Sequence, residues 1–349
     1  MHYSEKRLAP FPTEQRLHVD DSAHGAMSLL AQYDSIRHRL TALRHAGCAQ
    51  LLRLLPAFFA PLPRASEALR CEVLQLEDYG PAVANLSRFL GFPANASKPI
   101  DHELLQRLTA ANRACSGSIG IPDLLFLHAF ITVLAPPRVV ELGTLTGFSA
   151  SVIAAAVAQQ QSTRSGTLVD TIDLNRHCLT DVTKPVGFEI SRLVPELAAR
   201  IRVHPGRDAQ HLASIATKGE LPFVFIDADH QHPRPTLDLL RVAPFVRAKG
   251  WIMLHDIELA RVTEQMHAAR VELKYQPSYG AQWLFDAWPF AKISGGNIGA
   301  LQMPAKLRDL RPFAVAMLRI PSELKGVSAQ RTAKAFLAEA AKLVNARDD

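Results

Sequence analysis

Cysteine is scarce, with only Cys48, Cys71, Cys115 and Cys178 in 349 residues. No Cys-x-x-Cys pair occurs, which excludes a zinc-finger framework, and scattered thiols in a chain of this length point to a reducing compartment. Long apolar runs are also missing. The two most apolar windows are 49–62, interrupted by Arg53 and Pro56, and 121–135, interrupted by Asp123 and His128. Both are too short to span a bilayer and are expected to be buried helices. The first residues, Met-His-Tyr-Ser-Glu-Lys-Arg, lack the apolar core of a secretory signal. Together these absences predict a cytoplasmic protein that does not enter a membrane. Charge of one sign is not in large excess either. There are 39 basic and 33 acidic residues, a net +6, without the long basic run that marks a nucleic-acid binder, so no nucleic-acid partner is expected. The Gly-x-Gly-x-x-Gly dinucleotide fingerprint and the Gly-Lys-Ser/Thr of a triphosphate loop are both absent. No internal repeat is evident.

What is present is apolar material sufficient for a large core, 48% of residues. Residues 1–115 read as a helical N-terminal region. Leu29, Leu30, Tyr33, Ile36, Leu40 and Leu43 recur at helical spacing, and a second helical pattern runs over Ala65–Leu90. Residues 91–95 break it, and Asp101 is placed to cap a helix over 102–113. From about residue 120 short apolar runs alternate with helical stretches. Strands are expected at 138–142, 167–173, 201–203, 223–227 and 251–255. Helices are expected at 148–160, 188–200, 208–216, 235–247 and 259–270. That alternation predicts an α/β domain over 116–304, a parallel sheet covered by helices on both faces. Ligands bind such sheets at the carboxyl ends of the strands, and Glu141, Asp173, Asp227, Asp229, His230, His255 and Asp256 fall there. Residues 305–349 form a C-terminal extension whose Phe336, Leu337, Ala340, Leu343 and Val344 make one apolar helical stripe.

Gly143 and Gly147 bracket the turn Glu141-Leu-Gly-Thr-Leu-Thr-Gly147 between a strand and a helix. Glycine there permits positive φ and close approach of a ligand to the backbone, and the following helix start offers free N–H groups. The stretch 139–149, Val-Val-Glu-Leu-Gly-Thr-Leu-Thr-Gly-Phe-Ser, resembles the first motif of the class I S-adenosylmethionine-dependent methyltransferases. It is most similar to the metal-dependent small-molecule O-methyltransferases, the catechol and caffeoyl-coenzyme A enzymes and bacterial relatives acting on sugars and antibiotics. The resemblance runs through 250–256 and more weakly to about 304. It implies a Rossmann-like class I sheet and S-adenosylmethionine as cofactor, held by Glu141, Gly143, Thr144, Thr146, Gly147 and Ser149. Asp173 is then expected on the ribose hydroxyls and Asp208, which also suits a helix N-cap, near the adenine.

The segments Phe225-Ile-Asp-Ala-Asp-His230 and Leu254-His-Asp256 end neighbouring strands, so Asp227 and Asp256 are placed to converge on a hard cation such as Mg²⁺. The resemblance implies the same two metal ligands and puts His230 where the catechol-type enzymes carry a lysine base. The third ligand of that family, an asparagine, is Ile257 here, which leaves two possibilities: His255, Asp229 or water completes a metal site, or no metal binds and His230 is the sole base. The expected reaction is methylation of a hydroxyl on a small molecule or sugar. Methylation of RNA or protein is the alternative within the class, though no Asn-Pro-Pro-Tyr-like motif is present. A non-catalytic cofactor-binding scaffold is the alternative outside it. The aromatic stretch 279–290 suits either the core or an acceptor-stacking surface, with core favoured for most of its rings. The N-terminal region is a candidate lid or homodimer surface.

Overall fold

A computed structural model describes residues 63–92, 101–112, 115, 119–161, 166–269 and 278–345. The helical stripe Leu29–Leu43 and the window 49–62 lie outside the described residues. Eight strands form one sheet: β1 (Ala68–Arg70), β2 (Val139–Leu142), β3 (Val169–Asp173), β4 (Ile201–Pro205), β5 (Leu221–Ile226), β6 (Val246–His255), β7 (Lys292–Ser294) and β8 (Ile298–Gln302). Their order is β1-β7-β8-β6-β5-β2-β3-β4. The run from β6 to β4 is parallel, β8 is antiparallel to both neighbours, and β1 pairs parallel with β7. The described helices are α1 (Tyr79–Leu90), α2 (His102–Asn112), α3 (Ile121–Leu134), α4 (Phe148–Gln160), α5 (Ile190–Leu193), α6 (Leu212–Ile215), α7 (Arg234–Val242), α8 (Leu259–Ala268), α9 (Gly280–Asp286), α10 (Arg311–Leu318) and α11 (Gly326–Asn345).

Strand side chains alternate faces, and the core divides accordingly. Val139, Phe223, Phe225, Trp251 and Met253 join one apolar cluster with α1 to α4. Val140, Val224, Ile226, Ile252 and Leu254 join the other with α7, α9, α10 and α11. The expected Rossmann-like sheet with helices on both faces is therefore present, and the terminal stripe Phe336–Leu343 packs into the second cluster. Helix α3 is buried on nearly every side, as its uniformly apolar sequence requires. Asp101 caps α2 by accepting from the Leu104 amide at 2.9 Å.

Several boundaries differ from expectation. The stretch from Ala65 is not one helix: the backbone near β1 is drawn to the sheet by Ser66 N donating to Trp288 O and Cys71 N to Ser294 O, and α1 begins only at Tyr79. The helix expected over 188–200 shrinks to α5, because Pro195 forces Val194 out of helical geometry. The one over 208–216 becomes a 3-10 turn followed by α6. The one over 235–247 ends at Val242 before Pro244, and residues 246 and 247 belong to β6.

Candidate active site

The chain leaves β2 for β3 and β4, then returns to lay β5 against the other side of β2. This reversal is the switch point where open α/β sheets bind ligands. A cleft of about 540 Å³ opens there, within the size range of small-molecule sites. The turn after β2 forms one wall. Gly143 donates its N–H to Ile172 O, and Asp227 donates its own to Leu142 O, each at 2.8 Å. Gly143 has φ +101°, and a Cβ there would lie 1.9 Å from the Asp227 carbonyl oxygen, so only glycine fits. Gly147, with φ +89°, stands at the start of α4.

Thr144, Thr146 and Ser149 are buried on this wall. The Thr144 and Thr171 hydroxyls lie 2.6 Å apart, and Thr171 donates to Glu141 at 2.5 Å. Glu141 is fully buried. Burial pushes its carboxyl up to about 8, with the Asp227 and Asp173 charges adding to the rise against hydrogen bonds from Ser149 and Thr171. The folded protein thus holds a proton on Glu141 that the unfolded chain loses above its ordinary value of 4.5. Its contribution to stability is full below 4.5 and is lost as pH rises through about 8. Glu141→Gln, similar in shape and uncharged, is expected to flatten the decline in stability between pH 5 and 8 relative to wild type. The expected difference is a few kcal/mol, at about 1.4 kcal/mol per pKa unit. Parallel urea-denaturation profiles across that range would contradict the assignment.

Asp173 ends β3. One of its oxygens accepts from the amides of Thr144 at 3.1 Å and Leu145 at 3.0 Å, the other from Asn175 at 2.8 Å. It therefore braces the β2 turn as well as lining the cleft. Asp208 also lines the cleft and caps a 3-10 turn by accepting from Gln210 N, with Arg241 Nη1 3.0 Å away.

Opposite the turn, the ends of β5 and β6 bring Asp227, His230, His255 and Asp256 together. His230 Nε2 lies 3.1 Å from Asp256 Oδ2 and 3.7 Å from Asp227 Oδ1. His255 Nδ1 lies 3.1 Å from Asp227 Oδ1, and its Nε2 lies 3.3 Å from Asp123 Oδ2. Burial pulls His255 down, but Asp227, Asp256 and Asp123 outweigh it and hold the imidazole well above its usual value. Burial likewise pushes Asp227 up, and the His255 and His230 rings more than reverse the effect. Asp256 has φ +60°, uncommon outside glycine. Its turn is stapled by Asn297, which donates to Asp256 Oδ1 at 2.6 Å and accepts from Glu258 N at 2.8 Å.

At the cleft a hard cation would meet two carboxylates, Asp227 and Asp256. They converge with an imidazole nitrogen beside each, and buried Ile257 cannot ligate. Among the described residues no group of three or more His, Cys, Asp or Glu side chains is arranged to hold a metal ion. Asp123 and Asn297 are participants that the sequence did not single out. Trp283, Phe285 and Trp288 do not line the cleft. Phe285 and Trp288 are buried in the core, and Trp283 stacks on Tyr279.

The fold defines a Rossmann-like domain with a cleft across the ends of β2, β3 and β5. A family described as "Methyltransferase domain" matches residues 140–257. Over that stretch, which holds β2 to β6 and the cleft, the chain is similar to methyltransferase domains. No curated protein matches the sequence. Among solved structures, the chain is similar to cofactor-bound Rv0187 from MTB, at 20% identity over 59% of this chain and 91% of that one, with a TM-score of 0.42. It is also similar to the O-methyltransferase TomG from Streptomyces achromogenes, involved in tomaymycin synthesis and solved with SAM, at 17% identity over 66% and 100%, TM-score 0.38. An O-methyltransferase from Bacillus cereus in complex with SAH is 16% identical over 63% and 97%, TM-score 0.39. Among the described residues no helix is long and apolar enough to cross a membrane.

Proposed function

We propose that this protein is an S-adenosylmethionine-dependent O-methyltransferase acting on a hydroxyl of a small molecule or sugar, with His230 as general base. The observation that carries the reading is the His230–Asp256 pair, 3.1 Å apart, in the same cleft as the β2 turn. The residues present fit the cofactor: a glycine turn admitting close backbone approach, the N-terminus of α4, and Asp173 with lone pairs to spare for a cis-diol. When bound, S-adenosylmethionine supplies an activated sulfonium methyl, which an in-line oxygen takes while the S–CH₃ electron pair returns to sulfur. The protein's task is then to align and deprotonate the acceptor. Asp256 holds His230 through Nε2, leaving Nδ1 to accept the hydroxyl proton and stabilising the imidazolium that forms. Asn297 fixes the Asp256 carboxylate. His255 has both nitrogens against carboxylates, so it balances charge beneath the site rather than accepting the proton.

Calorimetric titration with S-adenosylhomocysteine tests the cofactor reading. Wild type is expected to bind in the micromolar range, and Asp173→Ala at least about tenfold more weakly, ~1.4 kcal/mol. That substitution removes the diol acceptor and strands two amides of the turn. Equal affinity in the two proteins would reject the Asp173 assignment, and no binding to folded wild type would reject the methyltransferase reading.

A further inference from the structure

At the far edge of the sheet, away from the β5 and β6 ends, a second histidine pair has an unusual hydrogen-bond balance. His204 lies on the edge strand β4, and His211 in the turn that Asp208 caps. His204 Nε2 sits 2.9 Å from Asp170 Oδ1. Asp170 is fully buried and ion-paired with Arg138 at 3.1 Å. A carboxylate can only accept, so His204 Nε2 carries the hydrogen and Nδ1 bears a lone pair. Ser214 donates its hydroxyl hydrogen to the His211 carbonyl at 2.7 Å, while its oxygen lies 3.0 Å from His211 Nδ1. In the tautomer in which that oxygen accepts from Nδ1–H, His211 Nε2 bears a lone pair. The two nitrogens, His204 Nδ1 and His211 Nε2, face each other at 3.1 Å.

In that tautomer the two nitrogens are acceptors turned toward one another, an arrangement a bound cation satisfies; in the other tautomer an N–H···N hydrogen bond joins them. The separation is close to the N···N edge of a tetrahedral site, about 3.4 Å for Zn–N bonds of about 2.0–2.1 Å. The outer nitrogens carry the partners that orient metal-binding histidines, a buried carboxylate on one and a hydroxyl on the other. Both rings are partly open to solvent, which leaves room for water ligands. We propose that His204 and His211 form a two-imidazole site for a divalent transition metal of the Zn²⁺ type, its remaining positions filled by water. This site is independent of the methyl-transfer reading. Occupation would pin the turn 205–211 to the sheet edge, and with it Asp208 on the cleft wall.

The test is calorimetric titration of the metal-stripped full chain with Zn²⁺ alone, with Mg²⁺ as the hard-cation control, on wild type, His204→Ala and His211→Ala. The chain has 14 histidines in all, so the variants assign the heat to this pair. The expected result is one Zn²⁺ bound in the micromolar range, no Mg²⁺ heat at this pair, and at least tenfold weaker Zn²⁺ binding in each variant at unchanged circular dichroism. Copper electron paramagnetic resonance of wild type provides a measurement that needs no variant and is expected to report two nitrogen donors. Absence of Zn²⁺ binding, equal binding in His211→Ala, or a copper spectrum without two nitrogens overturns the site and leaves a proton shared between the rings.

Discussion

His230→Ala is expected to lower methyl transfer by about a hundred- to ten-thousand-fold, the usual contribution of a positioned general base, while leaving affinity for S-adenosylhomocysteine within about twofold. On the proposed reading the two effects separate, because His230 follows β5 whereas the β2 turn and Asp173 lie on the opposite wall of the cleft. The pH dependence distinguishes a lost base from a lost contact. An acceptor hydroxyl of the phenol type ionises near pH 10. The deficit of His230→Ala should therefore shrink as pH approaches that value and the acceptor ionises without help. A contact merely lost would leave a deficit independent of pH. His255→Ala should behave differently, because it leaves Asp123 and Asp227 facing one another without the imidazole between them. Its main cost is then stability, since stranding buried charge is expensive. Single-turnover rates with catechol, phenol and sugar acceptors provide the measurement. Undiminished transfer in His230→Ala would remove it as the base.

The parts of this site that could be read from the sequence are those set by local chemistry. Apolar runs placed β2, β3, β5 and most of β6 because strands buried on both faces need near-continuous hydrophobicity. Gly143 and Gly147 were identifiable because a strand-to-helix turn with positive φ has few other solutions. What escaped depends on contacts distant in sequence. Asp123 reads as a flaw in an apolar helix until the fold sets it 3.3 Å from His255. Asn297 reads as a hairpin residue until β8 lays it beside Asp256. The strand Ala68–Arg70 lies inside a stretch whose spacing reads as helical, and only its pairing with β7 makes it a strand. Asp173 was legible as a cleft acid, but its grip on the Thr144 and Leu145 amides comes from the register of β2 against β3.

Gly143→Ala should be the most damaging single methyl in the molecule. Two costs combine at this position. The first is backbone strain, since alanine at φ +101° occupies a region that side chains disfavour, at about 1–3 kcal/mol. The second is collision. The added Cβ would sit 1.9 Å from the carbonyl oxygen of Asp227 and 2.6 Å from its carbonyl carbon. Those are backbone atoms of the adjoining chain, held by the Asp227 N–H to Leu142 O bond, so they cannot swing aside as a side chain would. Relief requires the ends of β2 and β5 to part, which opens the cleft where the β2 turn and Asp227 meet. Overpacking of this kind adds about 1–3 kcal/mol, and the sum is about 2–6 kcal/mol. Gly147→Ala offers the comparison within the same loop. Its φ of +89° carries similar strain, but its nearest atoms, at 2.5 and 2.9 Å, belong to the Ile190 side chain, which can change rotamer. The expected order in urea-denaturation midpoint is wild type, then Gly147→Ala, then Gly143→Ala. Affinity for S-adenosylhomocysteine should fall most in the last, because only there does the β2 turn lose its contact with β5. A Gly143→Ala protein with wild-type midpoint and affinity would show that the two strand ends do not meet as closely as the switch point requires.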